Sequence, residues 1–121
     1  MLEIVSVLVR KHNAGRLSSV LFGQAMLELT QEIIENEAFV ITAVEDSALI
    51  AAIELIGRHN LNATDAIILR SCLDVQAALP DEQLVLCTSD KRLVRAAQEE
   101  KLVVFDPEVD TLAQLENLLR R

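Results

Sequence analysis

The sequence predicts an α/β fold: a small parallel sheet sandwiched as the middle of three α/β/α layers. Three observations carry that expectation. Apolar residues recur at helical spacing along most of the chain, and short runs rich in Val, Ile and Phe interrupt them at residues 39–44, 83–87 and 102–105. Residues suited to capping a helix, such as Ser18, Asp46, Thr64 and Asp90, stand where the periodic segments begin. Strands that alternate with helices pair in parallel through right-handed crossovers, with helices covering both faces. Such sheets commonly hold more strands than three.

Taken in order, residues 2–12 read as a helix with Arg10, Lys11 and His12 in its last turn, where the helix dipole favours cations, and Gly15 just beyond. Ser18 or Ser19 caps a second helix through Val20, Leu21, Met26, Leu29, Ile33 and Ile34, ending near Asn36. Residues 39–44 follow as a buried strand. Asp46 or Ser47 starts a third helix, apolar at Leu49, Ile50, Ile53 and Ile56, which stops between Gly57 and Asn60. Thr64 caps a fourth, fading at Ala78-Leu79-Pro80. The second strand at 83–87 turns at Thr88-Ser89-Asp90 into a helix carrying Leu93, Val94 and Ala97. After the strand at 102–105, Asp106 caps and Pro107 enters the last helix, through Leu112, Leu115, Leu118 and Leu119.

At 121 residues the chain is expected to form a single domain, 1–121, and with 51% hydrophobic but 2% aromatic residues its core must be aliphatic. No apolar run approaches the ~20 residues of a membrane span, and no secretion signal opens the chain. Cys72 and Cys87 lie in apolar stretches without CxxC spacing, so buried, reduced thiols in a cytoplasmic protein are expected. The net charge of -8 argues against a generic nucleic-acid coat protein. It does not exclude an acidic metal pocket, where a cation offsets the acids. Basic residues cluster at Arg10, Lys11, His12 and Arg16 and again at Lys91, Arg92 and Arg95, as solvated helix faces or as phosphate contacts. With so few aromatics, base stacking carries little.

The acids are more informative. Ile68, Leu69, Cys72 and Leu73 fall on the face that Asp65 heads, so this carboxylate leads an apolar stripe, away from Arg70 and Asp74. There it either complements the helix N-terminus or holds a cation. Asp90 follows a strand directly, where ligands gather in open α/β sheets, although it equally suits an N-cap. Glu3 leads the first helix, a position usually just solvated. As a set they head three helices. If those ends converge, the carboxylates need a hard cation such as Mg²⁺ or Mn²⁺ to stay ionised side by side. Nucleophilic catalysis has little support: no base stands near either cysteine in sequence, and three glycines make no phosphate loop.

Several landmarks resemble a known family. Leu2-Glu3-Ile4-Val5-Ser6-Val7-Leu8, Gly15-Arg16-Leu17-Ser18, His59-Asn60-Leu61-Asn62-Ala63-Thr64-Asp65-Ala66 and Leu86-Cys87-Thr88-Ser89-Asp90 are similar, in order and spacing, to the PIN domain. The resemblance implies a metal-dependent ribonuclease fold, common among the toxins of bacterial toxin–antitoxin pairs. It implies a Mg²⁺ or Mn²⁺ site in which Glu3, Asp65 and Asp90 are catalytic and ligate the metal. Thr88 matches a small hydroxyl residue beside the last of these, and Arg16, Lys91 and Arg92 are expected to meet the RNA. The family's first strand, ending in another ligand acid, would precede Met1. The resemblance therefore implies a PIN-like domain lacking its opening strand, with weakened metal binding. For a toxin it also implies a cognate antitoxin as partner. The alternative is a catalytically inactive module acting in oligomerisation, as a homodimer or higher oligomer, or in partner binding. A phosphoacceptor receiver domain, similar in length and order, finds no acids or lysine at its required positions.

Overall fold

The computed structural model describes the backbone of residues 2–120 and the side chains of residues 5–120. The chain forms two compact units, Met1–Ala43 and Val44–Arg121.

The first unit is helical. Helix α1 (Leu2–Asn13) ends in Arg10, Lys11 and His12, as its sequence leads one to expect. Gly15 adopts φ 72° just past the end. The Gly15 N–H donates to the carbonyl of His12 and the Arg16 N–H to that of Lys11, so the free carbonyls of the last turn are met. His12 does more than face the dipole. Its Nδ1 lies 3.0 Å from the Leu17 carbonyl, and its ring stacks on Phe22 with centroids 4.8 Å apart. Helix α2 (Ser19–Leu29) is capped by Ser18, whose hydroxyl accepts from the Leu21 N–H at 3.2 Å. It runs on into a π-helical turn at Thr30–Ile34. There the Thr30 hydroxyl donates to the Met26 carbonyl at 2.9 Å, a back-bond of the kind that bends helices.

The strand expected at 39–44 is not present: these residues have no regular structure, and Val40 is 84% exposed. A local turn takes the backbone donors instead. The Ala38 N–H donates to the Asn36 side chain and the Phe39 N–H to the Asn36 carbonyl, both at 2.9 Å. A β-rich composition supplies no ladder partner, and a strand exists only when paired.

The second unit holds the α/β part. Helices α3 (Asp46–His59) and α4 (Ala63–Ala78) lead to strand β1 (Val85–Cys87), helix α5 (Lys91–Glu99), strand β2 (Val103–Phe105) and helix α6 (Leu112–Leu119). The strands are parallel, with Val85 opposite Val103, Leu86 opposite Val104 and Cys87 opposite Phe105. The sheet therefore has two strands among the described residues, not three, and α5 is the crossover that joins them. The core joins Ala52 and Leu55 of α3, Ala66 and Leu69 of α4, and Leu93, Ala96 and Ala97 of α5, with Leu61 and Leu102.

Helix α3 turns an unexpected face inward. Its buried residues are Ala52 and Leu55, whereas Ile50 and Ile53 are 69% and 66% exposed. Small alanines let α3 approach α4 closely, and the isoleucine stripe is left outside. The cap of α4 is Asn62, not Thr64, because the Asn62 Oδ1 accepts from the Asp65 N–H at 2.8 Å. Likewise Asp106 does not cap α6. Thr111 does so, in a capping box with Gln114. Cys72 is half-buried as expected, but Cys87 is exposed, and both thiols are free.

Candidate active site

The rim at the carboxyl ends of the two strands is built by short-range bonds. Register alone brings the residues after β1 beside those after β2, and the Thr88 N–H donates to the Phe105 carbonyl at 3.1 Å. The chain then turns: the Asp90 N–H donates to the Thr88 hydroxyl at 3.2 Å. The Asp90 carboxylate caps α5 through one oxygen, Oδ1, which accepts from the N–H groups of Arg92 and Leu93, each at 3.0 Å. Its second oxygen has no hydrogen bond among the described residues. Asp90 is thus both the N-cap and the strand-end acid that its sequence position allowed.

Asp106, directly after β2, is the buried carboxylate of this rim, with 7% of its surface exposed. Its Oδ1 accepts from the Ser89 hydroxyl at 2.7 Å and the Glu108 N–H at 3.0 Å, and its Oδ2 from the Lys91 ammonium at 3.3 Å. In turn its own N–H donates to Asp110 at 2.8 Å. The Ser89 hydroxyl above all, then the Glu108 N–H and Lys91, hold this carboxyl below its ordinary range against the opposing effect of burial. Sequence reasoning read Asp106 as a helix cap and missed this role. The usable signal was the one applied to Asp90, that polar groups gather where parallel strands end. The Lys91 ammonium, expected to face substrate, lies 3.3 Å from Asp106 with its side chain 69% exposed.

Asp65 is half-buried in the first turn of α4. Asn62 holds it from both sides, accepting from its N–H and donating through Nδ2 to its Oδ2 at 3.0 Å. Arg16 is exposed in the first unit. The side chain of Glu3 lies outside the described residues. Among the described residues no three His, Cys, Asp or Glu side chains gather as a metal-holding group. What the structure brings together at the rim is Thr88, Ser89, Asp90, Lys91 and Asp106, a set of hard oxygen donors with one compensating lysine.

A second feature lies where α3 ends. The His59 side chain is 3% exposed, with Nδ1 3.0 Å from Glu99 Oε2 and Nε2 2.8 Å from Glu100 Oε1. Arg58 also donates to Glu100. His59 first, and Arg58 after it, lower the Glu100 carboxyl from its usual range, while burial works the other way. Asn60 closes α3 in the left-handed region, φ 53°, that turns the chain toward α4. An open cleft of ≈ 230 Å³ is lined by these α3 residues together with Arg92, Arg95 and Glu99 of α5.

These two carboxylates set an acid limit on stability. A carboxyl held low in the folded state stabilises fully above its unfolded pKa, and that contribution is lost as pH falls through the folded value. The melting temperature is expected to drop steeply below the ordinary carboxylate range. Asp106→Asn and Glu100→Gln are expected to lower it at pH 7 but to converge on the parent curve in acid. A variant that ran parallel to the parent at every pH would show that its carboxylate is not the linked group.

The PIN domain family model matches residues 8–108. The chain belongs to the PIN domain family. Its fold is of the nuclease type, with the helix-rich α/β build and small parallel sheet described above. No curated protein and no solved structure matches it. The matched span of this PIN domain includes Asp65, Thr88, Asp90 and Asp106, and Glu3 stands outside it. No described helix is long and apolar enough to cross a membrane.

Proposed function

We propose that this PIN domain is a Mg²⁺- or Mn²⁺-dependent endoribonuclease of the toxin type, acting in the cytoplasm and held in check by a cognate antitoxin. The observation that supports it best is Asp90. It stands three residues after strand β1 inside the matched span, with one carboxylate oxygen fixed on the backbone of α5 and the other without a hydrogen bond among the described residues. Asp65, held by Asn62 at the start of α4, and Glu3 complete the proposed ligand set. Hard carboxylate oxygens of this kind suit a small divalent cation. When bound, such a cation supplies charge neutralisation at a phosphodiester and a water acidic enough to attack it. The chain's own part is to hold the acids still: backbone N–H groups fix Asp90, Asn62 fixes Asp65, and Thr88 shapes the turn between strand and acid.

The test is RNA cleavage by the purified chain. Cleavage of single-stranded RNA with millimolar Mn²⁺ is expected, abolished by EDTA and restored by excess metal. Cleavage that persists in EDTA, or none with either Mn²⁺ or Mg²⁺, would defeat the proposal.

A second reading, an inactive module that self-associates, is favoured by the exposed isoleucine face of α3. It predicts a dimer in light scattering together with no heat of metal binding in calorimetry.

A further inference from the structure

The cleft between the end of α3 and α5 is a local reversal of charge in an acidic chain. Two basic residues that line it are engaged by acids nearby. Arg58 pairs with Glu100 and Glu54, and His59 with Glu99 and Glu100. The other two are not. Neither Arg92 nor Arg95 has an ion-pair partner or side-chain hydrogen bond among the described residues. They stand three positions apart on α5, so their guanidinium groups serve the same face of that helix. In a chain of net charge -8, the cleft thus gathers three arginines and one lining acid, Glu99.

The chemistry of the lining selects the ligand class. Arginine forks suit oxyanions, and Asn60 adds an amide donor at the cavity edge. Ala96 is its one apolar lining residue, so the cleft offers charged and amide groups and no apolar slot for a base. At ≈ 230 Å³ the cavity exceeds what one inorganic oxyanion fills and leaves room for a sugar beside it. It also communicates with the strand-end rim. Arg92, which lines the cleft with its side chain, donates its backbone N–H to Asp90 Oδ1 at 3.0 Å. Arg92 and the acid thus share the first turn of α5.

From this juxtaposition we infer that Arg92 and Arg95 form a phosphodiester-binding subsite, which grips the backbone of a single-stranded RNA next to the Asp90 rim without reading its sequence. The inference rests on the nuclease reading for the choice of RNA. It assigns a binding role to Arg95, Asn60 and the cleft as a whole. Lys91 is left out, since it does not line the cleft.

The test separates binding from cleavage. A fluorescein-labelled, mixed-sequence single-stranded RNA is titrated with the full chain in EDTA, and anisotropy is read over a range of salt. Each phosphate contact with a single strand contributes ~0.7 to the slope of log affinity against log salt. The Arg92→Gln/Arg95→Gln double variant is expected to bind several-fold more weakly, with a slope reduced by about 1.4. Both residues are exposed, so an unchanged melting temperature is expected and is to be checked. Arg120→Gln, remote in sequence and paired with Glu116, is expected to match the parent. A double variant with parental affinity and slope would overturn the inference. So would a polyglutamate peptide of equal charge that binds as tightly and is lost in the same variant, since the cleft would then take any polyanion. Parental RNA cleavage by the double variant with unchanged affinity would fail the subsite and spare the nuclease. Lost RNA binding in the double variant of a parent that never cleaves would fail the nuclease and spare the subsite.

Discussion

Asp90→Asn is expected to reduce Mn²⁺-dependent RNA cleavage by roughly 10²–10³-fold, the scale on which loss of several kcal/mol of charge stabilisation appears in a rate. The substitution is informative because its structural cost is small. Asparagine caps helices about as well as aspartate, so the bonds to the Arg92 and Leu93 N–H groups survive. What disappears is the negative charge and one hard ligand oxygen, at a dipole cost of about 0.3–1 kcal/mol. Retained folding by circular dichroism, retained RNA binding in EDTA and lost cleavage in metal would together assign Asp90 to the chemistry. Undiminished cleavage would leave it a cap alone. Asp65→Asn is expected to behave alike in cleavage but to fold less well, because the Asn62 Nδ2 donates to the carboxylate that it alters.

Leu69→Ala is expected to cost about 3–4 kcal/mol, the largest effect of any single truncation in the second unit. Leu69 is 0% exposed and is the largest fully buried side chain. It sits where α3, α4 and α5 meet, so the void left behind has three rigid walls and little means of collapse. With a urea slope of ~1.5 kcal/mol/M the midpoint would fall by ~2 M. Ile53→Ala supplies the contrast. At 66% exposed it is expected to change stability within about 0.5 kcal/mol. Equal losses at the two positions would mean that the isoleucine face of α3 is covered in solution.

Which parts of this were readable in advance follows from how local each cause is. Helices α1, α2 and α5 were legible because their ends are decided by neighbours: Gly15, Ser18 and Asp90 each act within a few residues. The crossover from β1 through α5 to β2 was legible for the same reason. Long-range choices were not. Residues 39–44 have a strand's composition, yet pairing depends on a partner that sequence does not name. For α3, either the alanine or the isoleucine face could turn inward, and close packing against α4 chose the smaller side chains over the greasier ones. The candidate site divides in the same way. Asp65 and Asp90 were nominated from position in their own helices. Asp106 was missed because its partners, Ser89 and Lys91, lie across the parallel pair, 17 and 15 residues back.

The unlike settings of the two thiols give the experimenter a handle. Burial raises the pKa of the half-buried Cys72, which keeps its sulfur protonated and slow to react, whereas Cys87 lies open on the last residue of β1. A maleimide dye at neutral pH is therefore steered to one atom, one residue upstream of Thr88. Without any engineered cysteine, the protein carries a fluorescent reporter post beside the rim whose chemistry is in question.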